Sequence, residues 1–122
     1  MLKFDEHLAE MSRSDQHEAE SRLIRALEHL LKMRCEQIPE AVRERNARGW
    51  QGTIDEQRRR LLRLIQMHGS LKPHLRNMDL SKAHREALKA LHVEWPSVDL
   101  PGNCPFTLEE IVGEEVMKEL RE

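Results

Sequence analysis

A stripe of mostly apolar residues between positions 50 and 68 constrains the fold more than any other feature. Its members recur at intervals of three or four residues, which places their side chains on one face of an α-helix. They are Trp50, Ile54, Arg58, Leu61 and Ile65, and Leu62 widens the stripe. Because such a helix must bury its apolar side, the pattern predicts packing against the rest of the chain or against a partner.

Further helices are predicted before this one. The clearest covers residues 15–35, where four leucines and Ile24 form a continuous apolar stripe. The apolar residues Phe4, Leu8 and Met11 predict a short helix ahead of it, and Ser12-Arg13-Ser14 is the expected break, since either serine can cap the next helix. Residue Pro39 ends the helix of residues 15–35 because proline disfavours helical backbone in the residue before it.

The polar segment 40–48 is predicted to be a connection or a short solvated helical turn. Glycines 49 and 52 leave the start of the following helix uncertain, since glycine lowers helix propensity. Gly69 suits the left-handed position after a helix and Ser70 suits the next N-cap. The helix after Ser70 should reach about His92, with a break near residues 79–81, and lie antiparallel to the preceding helix.

Residues 93–105 contain three prolines and a glycine and cannot form a regular helix. They also carry apolar side chains, so this segment should lie across the other helices. Thr107 and Glu110 have the spacing of a capping box and predict the start of a last helix. The predicted fold is all-α: a small antiparallel bundle of four to five helices with an extended proline-rich strap before the last helix, formed by residues 1–122 as a single domain.

Composition and charge agree with a helical protein. Charged residues make up 34% of the chain and aromatic residues 3%, with no tyrosine. The net charge of −2 is unevenly distributed: it is −4 over residues 1–20, +8 over residues 21–93 and −6 over residues 94–122. A basic centre between acidic ends can be neutralised within one fold, so it does not by itself require an outside polyanion.

The sequence also predicts the cellular setting. No apolar run approaches the roughly 18 residues of a membrane span, and the first residues carry acids rather than the basic start of a signal peptide. Cys35 and Cys104 lie far apart and outside any CxxC motif, which favours two free thiols in a reducing compartment. We therefore expect a cytoplasmic protein with no membrane contact.

Four ordered blocks of sequence stand out over roughly residues 20–112: Leu23 with Ala26–Lys32, Gly49-Trp50 with Thr53-Ile54 and Glu56–Arg60, Ser70-Leu71 with Pro73 and Leu75, and Leu100-Pro101 with Cys104–Glu110. In this order they resemble the bacterial family called domain of unknown function 29. The resemblance implies an all-helical single domain and no assigned activity, so it supplies no catalytic residues.

The chain departs from that family pattern in two places. Family members usually carry a longer lead with aromatic residues before the first helix, and an aromatic where this chain has Met33-Arg34-Cys35. The shortened N-terminus suggests an exposed surface that dimerisation could close.

Five polar or amphipathic residues are candidates for a buried polar cluster: Glu20, His29, Lys32, Trp50 and Arg58. Such clusters usually fix the register of packed helices, and a ligand site is the alternative. His29 is expected to be partly buried with one hydrogen-bond partner. Arg58 lies on the apolar stripe and should pair inward, with Glu20 or with the acidic last helix.

Sites for catalysis or cofactors are not indicated. None of the seven histidines lies three or four residues from another, the spacing that aims two helical ligands at one metal ion. There is no glycine-rich phosphate loop, no GxSxG and no HExxH motif. We therefore predict neither an enzyme nor a cofactor.

The candidate partner surface consists of Arg59, Arg60, Arg63, Met33 and Trp95. Seven arginines between residues 43 and 63 also suit a nucleic-acid contact, but three consecutive helical residues fan through about 200° and cannot form one row along a phosphate backbone. We predict a non-catalytic protein-interaction module that binds a protein partner or itself as a homodimer. The alternatives are a nucleic-acid-associated protein using residues 43–63, and a helical bundle that binds a small molecule or a metal.

Overall fold

The computed structural model describes residues 2–100 and 102–122, with side chains described from residue 13 onward. Within this part of the chain there are six helices and no strand, which confirms the all-α prediction. The helices are α1 (Leu2–Arg34), α2 (Glu40–Met67), α3 (Leu71–Arg76), α4 (Leu80–Glu94), α5 (Leu108–Val112) and α6 (Glu114–Arg121).

Helix α1 is continuous through Ser12-Arg13-Ser14, so the predicted break there is wrong. Serine caps a helix only where the chain stops being helical, and the segment contains no proline or glycine to stop it. The side chains of Phe4, Leu8 and Met11, which suggested a separate first helix, lie outside the described residues.

Helix α2 begins at Glu40, so the prediction of a connection over residues 40–48 is wrong. Glutamate, alanine and arginine are good helix formers, and Pro39 at the N-cap suits the entry to a helix. The two glycines of this helix lie in its interior and on its exposed side.

The connection after α2 differs in detail from the prediction. Ser70 is the N-cap residue of α3 but its side chain makes no capping hydrogen bond. Gly69 is not left-handed, because the positive-φ residue among those described is Gly113. The predicted break is real: Asp79 caps α4 by accepting hydrogen bonds from the backbone N–H groups of Ser81 and Lys82 at 3.0 and 3.3 Å.

Helix α1 is the centre of the bundle, and its most extensive packing is against α2 and then α4. Helix α4 therefore lies mainly on α1, and the predicted pairing of this helix with α2 is wrong. The fully buried side chains come from each of the long helices and include Leu23, Leu27, Ile54, Leu61 and Leu91.

The proline-rich strap lies across the bundle as predicted. Val98 is buried, and the Gln37 amide donates to the Asp99 carbonyl while accepting from the Asp99 N–H. His92 Nε2 lies 2.8 Å from the Val98 carbonyl oxygen. These bonds hold the strap to the turn between α1 and α2 and to α4.

The capping box at Thr107 and Glu110 is confirmed, with the two reciprocal hydrogen bonds at 3.2 and 3.0 Å. The last helix is divided at Gly113, whose φ of 89° is a conformation that L side chains rarely adopt. Within the described residues no helix is long and apolar enough to cross a membrane, and both cysteines are free thiols.

Candidate functional site

The buried polar cluster is built around Lys32, whose side chain is 3% exposed. Its Nζ donates a hydrogen bond to the carboxylate of Glu94 at 3.0 Å and forms an ion pair with the carboxylate of Glu28 at 3.2 Å. The same Nζ lies 5.9 Å from the centre of the Trp50 ring, near the limit of a cation–π contact. Lys32 thereby joins α1 to α2 and α4.

His29 lies beside this cluster and is buried. Its Nδ1 is 2.9 Å from the Arg25 carbonyl oxygen, one helical turn back, and 3.6 Å from the Glu28 carboxylate. Burial lowers the pKa of His29 below its ordinary value of 6.5, against the backbone hydrogen bond, which raises it. At neutral pH this imidazole is therefore uncharged and donates to the helix backbone.

The other two members of the predicted cluster lie elsewhere. Glu20 faces α3, where its Oε1 is 2.9 Å from His74 Nε2. Arg58 donates from Nε to the Ile111 carbonyl at 3.1 Å and from Nη2 to the Glu110 carbonyl at 2.7 Å. Arg58 thus binds backbone carbonyls at the end of α5, and the carboxylate nearest to it is that of Asp55 on α2, at 4.0 Å, rather than that of Glu20.

Two carboxylates of the cluster, those of Glu28 and Glu94, were not among the predicted residues. Glu28 precedes Lys32 by four residues, a spacing that suggests only a surface pair. Glu94 lies 62 residues from Lys32 in sequence, and no local pattern connects them. The result is a packed ion cluster that links α1 to α4.

The outer face of α2 carries the arginines of the predicted partner surface. Arg59 and Arg60 both donate to Glu56, at 2.8 and 2.7 Å. These two hydrogen bonds lower the pKa of the Glu56 carboxyl below its ordinary value. Arg63 is exposed and has neither an ion pair nor a side-chain hydrogen bond in the described part of the chain.

A groove of about 570 Å³ runs along this face between α1 and α2, and we call it the basic groove. Its lining includes two glutamates, Glu18 and Glu56, and the apolar side chains of Leu64 and Met67. The arginines that line it are Arg22, Arg59, Arg60 and Arg63. Met67 is 67% exposed, so a large apolar side chain borders the groove in contact with solvent.

A second groove of about 460 Å³ lies on the other side of α2, against the turn between α5 and α6; we call it the acidic groove. Asp55, Glu114 and Glu115 line it together with Arg58, Arg59 and apolar residues including Leu62. The two grooves adjoin at Arg59, which lines both. Helix α2 therefore forms a ridge between surfaces of opposite charge.

Met33 and Trp95 line neither groove, so the predicted five-residue partner surface is not continuous. Met33 borders a shallow depression with residues of the first half of α2, and Trp95 is partly buried against the core. Sequence reasoning missed Met67, although it follows Arg63 by four residues and so shares a helix face with it.

A third groove, of about 740 Å³, lies between α1, α3 and α4 around the Glu20–His74 pair. Two of its acidic groups are engaged within the fold: Asp79 caps α4, and Glu86 pairs with Lys89 at 3.2 Å. No three His, Cys, Asp or Glu side chains of the described residues converge on a point where a metal ion could bind.

Comparison with known proteins places the chain in a family. No curated protein and no solved structure matches it. The sequence profile of the family described as "Domain of unknown function DUF29" matches residues 3–117 of the 122-residue chain, a range that includes α2 to α5 in full and nearly all of α1. The protein belongs to the DUF29 family, whose function is unknown.

Proposed function

We propose that this protein is a non-catalytic interaction module whose basic groove binds an acidic segment of a protein. The observation that carries the proposal is that Arg63 and Met67, four residues apart on α2, are both exposed and both line the basic groove. Arg63 has no partner among the described residues, and Met67 exposes two thirds of its surface. Arginine and methionine are enriched at protein interfaces, where each loses contact with water only when a partner arrives.

Charge defines the partner. Four arginines and two glutamates line the basic groove, which leaves an excess of two positive charges. A segment with carboxylates on one side and aliphatic residues on the other would pair with Arg63 and cover Met67 and Leu64. An amphipathic helix has this arrangement, and helix-in-groove recognition works through such alternating contacts.

The same groove is less suited to nucleic acid. Glu56 accepts hydrogen bonds from both Arg59 and Arg60, and Glu18 lies 3.5 Å from Arg22. These carboxylates compete with phosphate for the arginines and repel it. Nucleic-acid affinity depends on unpaired cations that release counterions, and the basic groove offers mainly Arg63.

The buried groups support a non-catalytic role. Two carboxylates hold the Lys32 ammonium, and His29 is buried against the α1 backbone. Each of these groups with catalytic potential thus serves packing within the bundle. The free thiols of the two cysteines also support the cytoplasm as the compartment that we propose, since thiols persist where conditions are reducing.

The proposal is tested by fluorescence anisotropy with a labelled helical peptide of alternating glutamate and leucine faces, alongside labelled duplex and single-stranded DNA. We expect the peptide to bind, and Arg63→Glu to weaken binding at least about tenfold, since a close charge pair becomes a repulsion. The matched control is Arg85→Glu, because Arg85 is exposed on α4 and lines none of the grooves.

Two outcomes would overturn the proposal. One is DNA binding with a steep salt dependence in the absence of peptide binding. The other is equal loss of peptide affinity in both variants, which would show that the net charge of the protein, rather than the basic groove, attracts the peptide.

A further inference from the structure

We infer that the basic groove binds a second copy of this chain, which presents its own acidic groove in return. This inference rests on the proposed function and names the partner. Its starting point is that the basic groove lies on one side of α2 and the acidic groove on the other. The two grooves adjoin at Arg59. A surface that is basic on one side of a ridge and acidic on the other can be complementary to itself.

The charges that would meet are uncompensated within one copy. Glu114 and Glu115 are exposed, and neither has an ion pair or a side-chain hydrogen bond in the described part of the chain. Acidic residues in the first turn of α6 stabilise that helix through its dipole, but this role leaves their carboxylate oxygens open to a partner. Arg63, on the other side of α2, is likewise exposed and has no partner for its side chain among the described residues.

Symmetry then fixes the arrangement. In a two-fold dimer each copy uses the same surface. A two-fold axis that runs along α2 brings the basic groove of each copy onto the acidic groove of the other. An axis across α2 would place basic on basic and acidic on acidic. Charge complementarity therefore selects the first arrangement, in which the two α2 helices lie side by side and parallel.

The glycines of α2 give an independent reason for a close approach at this face. Gly49 and Gly52 lie within the helix, and apart from the adjacent helix backbone no atom is within 4 Å of the position where a Cβ would stand at either residue. Alanine would therefore fit and would favour the helix, so nothing in one copy requires glycine. Gly52 lies four residues before Glu56, on the side of α2 that carries the arginines. Glycines at such positions let another backbone come close.

Sedimentation equilibrium tests the inference with charge reversal at both surfaces. The wild-type chain, of 14.4 kDa, should approach twice that mass as its concentration rises, and high salt should weaken the association. Arg63→Glu alone and Glu115→Lys alone should each remain monomeric under those conditions. An equal mixture of the two variants should associate again, because both contacts of the mixed dimer then join opposite charges.

A steric variant and a control complete the experiment. Gly52→Leu has room in one copy and should block the approach of the second, whereas Arg85→Glu should dimerise like the wild type. Circular dichroism confirms that each variant is folded. A wild-type chain that is monomeric at every concentration and salt, or a mixture of variants that does not associate, would overturn the inference. If the acidic peptide still binds in that case, the basic groove serves another protein and the proposed function stands.

Discussion

Alanine in place of Gly113 should destabilise the protein, whereas alanine in place of Gly52 should stabilise it. Gly113 has φ 89° and ψ 165°, and an added Cβ would lie 3.0 Å from Cδ and 3.1 Å from Nε of Arg58. Gly52 is an exposed residue within α2 with open space around the same position. The same substitution, glycine to alanine, is therefore expected to have opposite effects on stability at these two positions.

The magnitude follows from two contributions. A backbone conformation that is almost restricted to glycine costs an alanine about 1–3 kcal/mol. Moving Arg58 weakens its hydrogen bonds to the Glu110 and Ile111 carbonyls, which we value at about 1 kcal/mol together because the arginine side chain is 27% exposed. Gly113→Ala should thus cost about 2–4 kcal/mol and lower Tm by roughly 10 °C. Gly52→Ala should gain about 0.5–1 kcal/mol.

Urea denaturation at low protein concentration measures both changes, and Arg58→Ala separates the two contributions. In that background the methyl group added by Gly113→Ala no longer meets the arginine, so the cost of this substitution should fall by about 1 kcal/mol. A neutral or stabilising Gly113→Ala would refute the assignment of backbone strain to this turn. Strict additivity with Arg58→Ala would refute the contact with the arginine.

Two further predictions concern the buried polar groups. Lys32→Met should lower the free energy of unfolding by about 2–3 kcal/mol, because Glu28 loses its partner where its side chain is only 13% exposed. Glu28→Gln in the Lys32→Met background should recover part of this free energy, as measured by urea denaturation. The wild type should lose stability as pH falls below about 6.5, since its folded state resists protonation of His29 more than the unfolded state does. His29→Asn, which keeps a donor for the Arg25 carbonyl, should lose less over the same range.

Each of these predictions has its own control. Glu94→Gln should cost less than about 1 kcal/mol because the Glu94 side chain is 59% exposed, and a larger cost would mean that Glu94, not Glu28, dominates the cluster. For His29, the free energies of unfolding of wild type and variant should be compared between pH 7 and pH 5.5. Curves that run parallel over this range would show that His29 does not titrate differently in the folded and unfolded states.

Features of the fold that depend on neighbouring residues could be predicted from the sequence. The capping box is recognised from the spacing of Thr107 and Glu110 alone. The stripe from Trp50 to Ile65 is recognised from helical periodicity alone. Both are correct in the structure. The start of α2 at Glu40 could not be predicted from hydrophobic periodicity, because the charged segment after Pro39 has helix propensity but no apolar stripe.

The candidate site could be predicted only in part, for a similar reason. Helix faces identify which residues point inward, but they do not show which turn of one helix meets which turn of another. His29, Lys32 and Trp50 do come together, whereas Glu20 and Arg58 lie at other contacts. The acidic groove depends on the turn at Gly113, which divides a helix that the sequence predicts as continuous.

The most direct test of the outer face of α2 as a binding surface is methyl NMR of the chain labelled at methionine, recorded as protein concentration increases. Met67 borders the basic groove, whereas Met33 and Met78 are partly buried away from both charged grooves and serve as internal references. We predict that the Met67 methyl resonance shifts with concentration, that the two references stay in place, and that Arg63→Glu abolishes the shift. An unchanged Met67 resonance, or equal shifts at the references, would contradict association through this face.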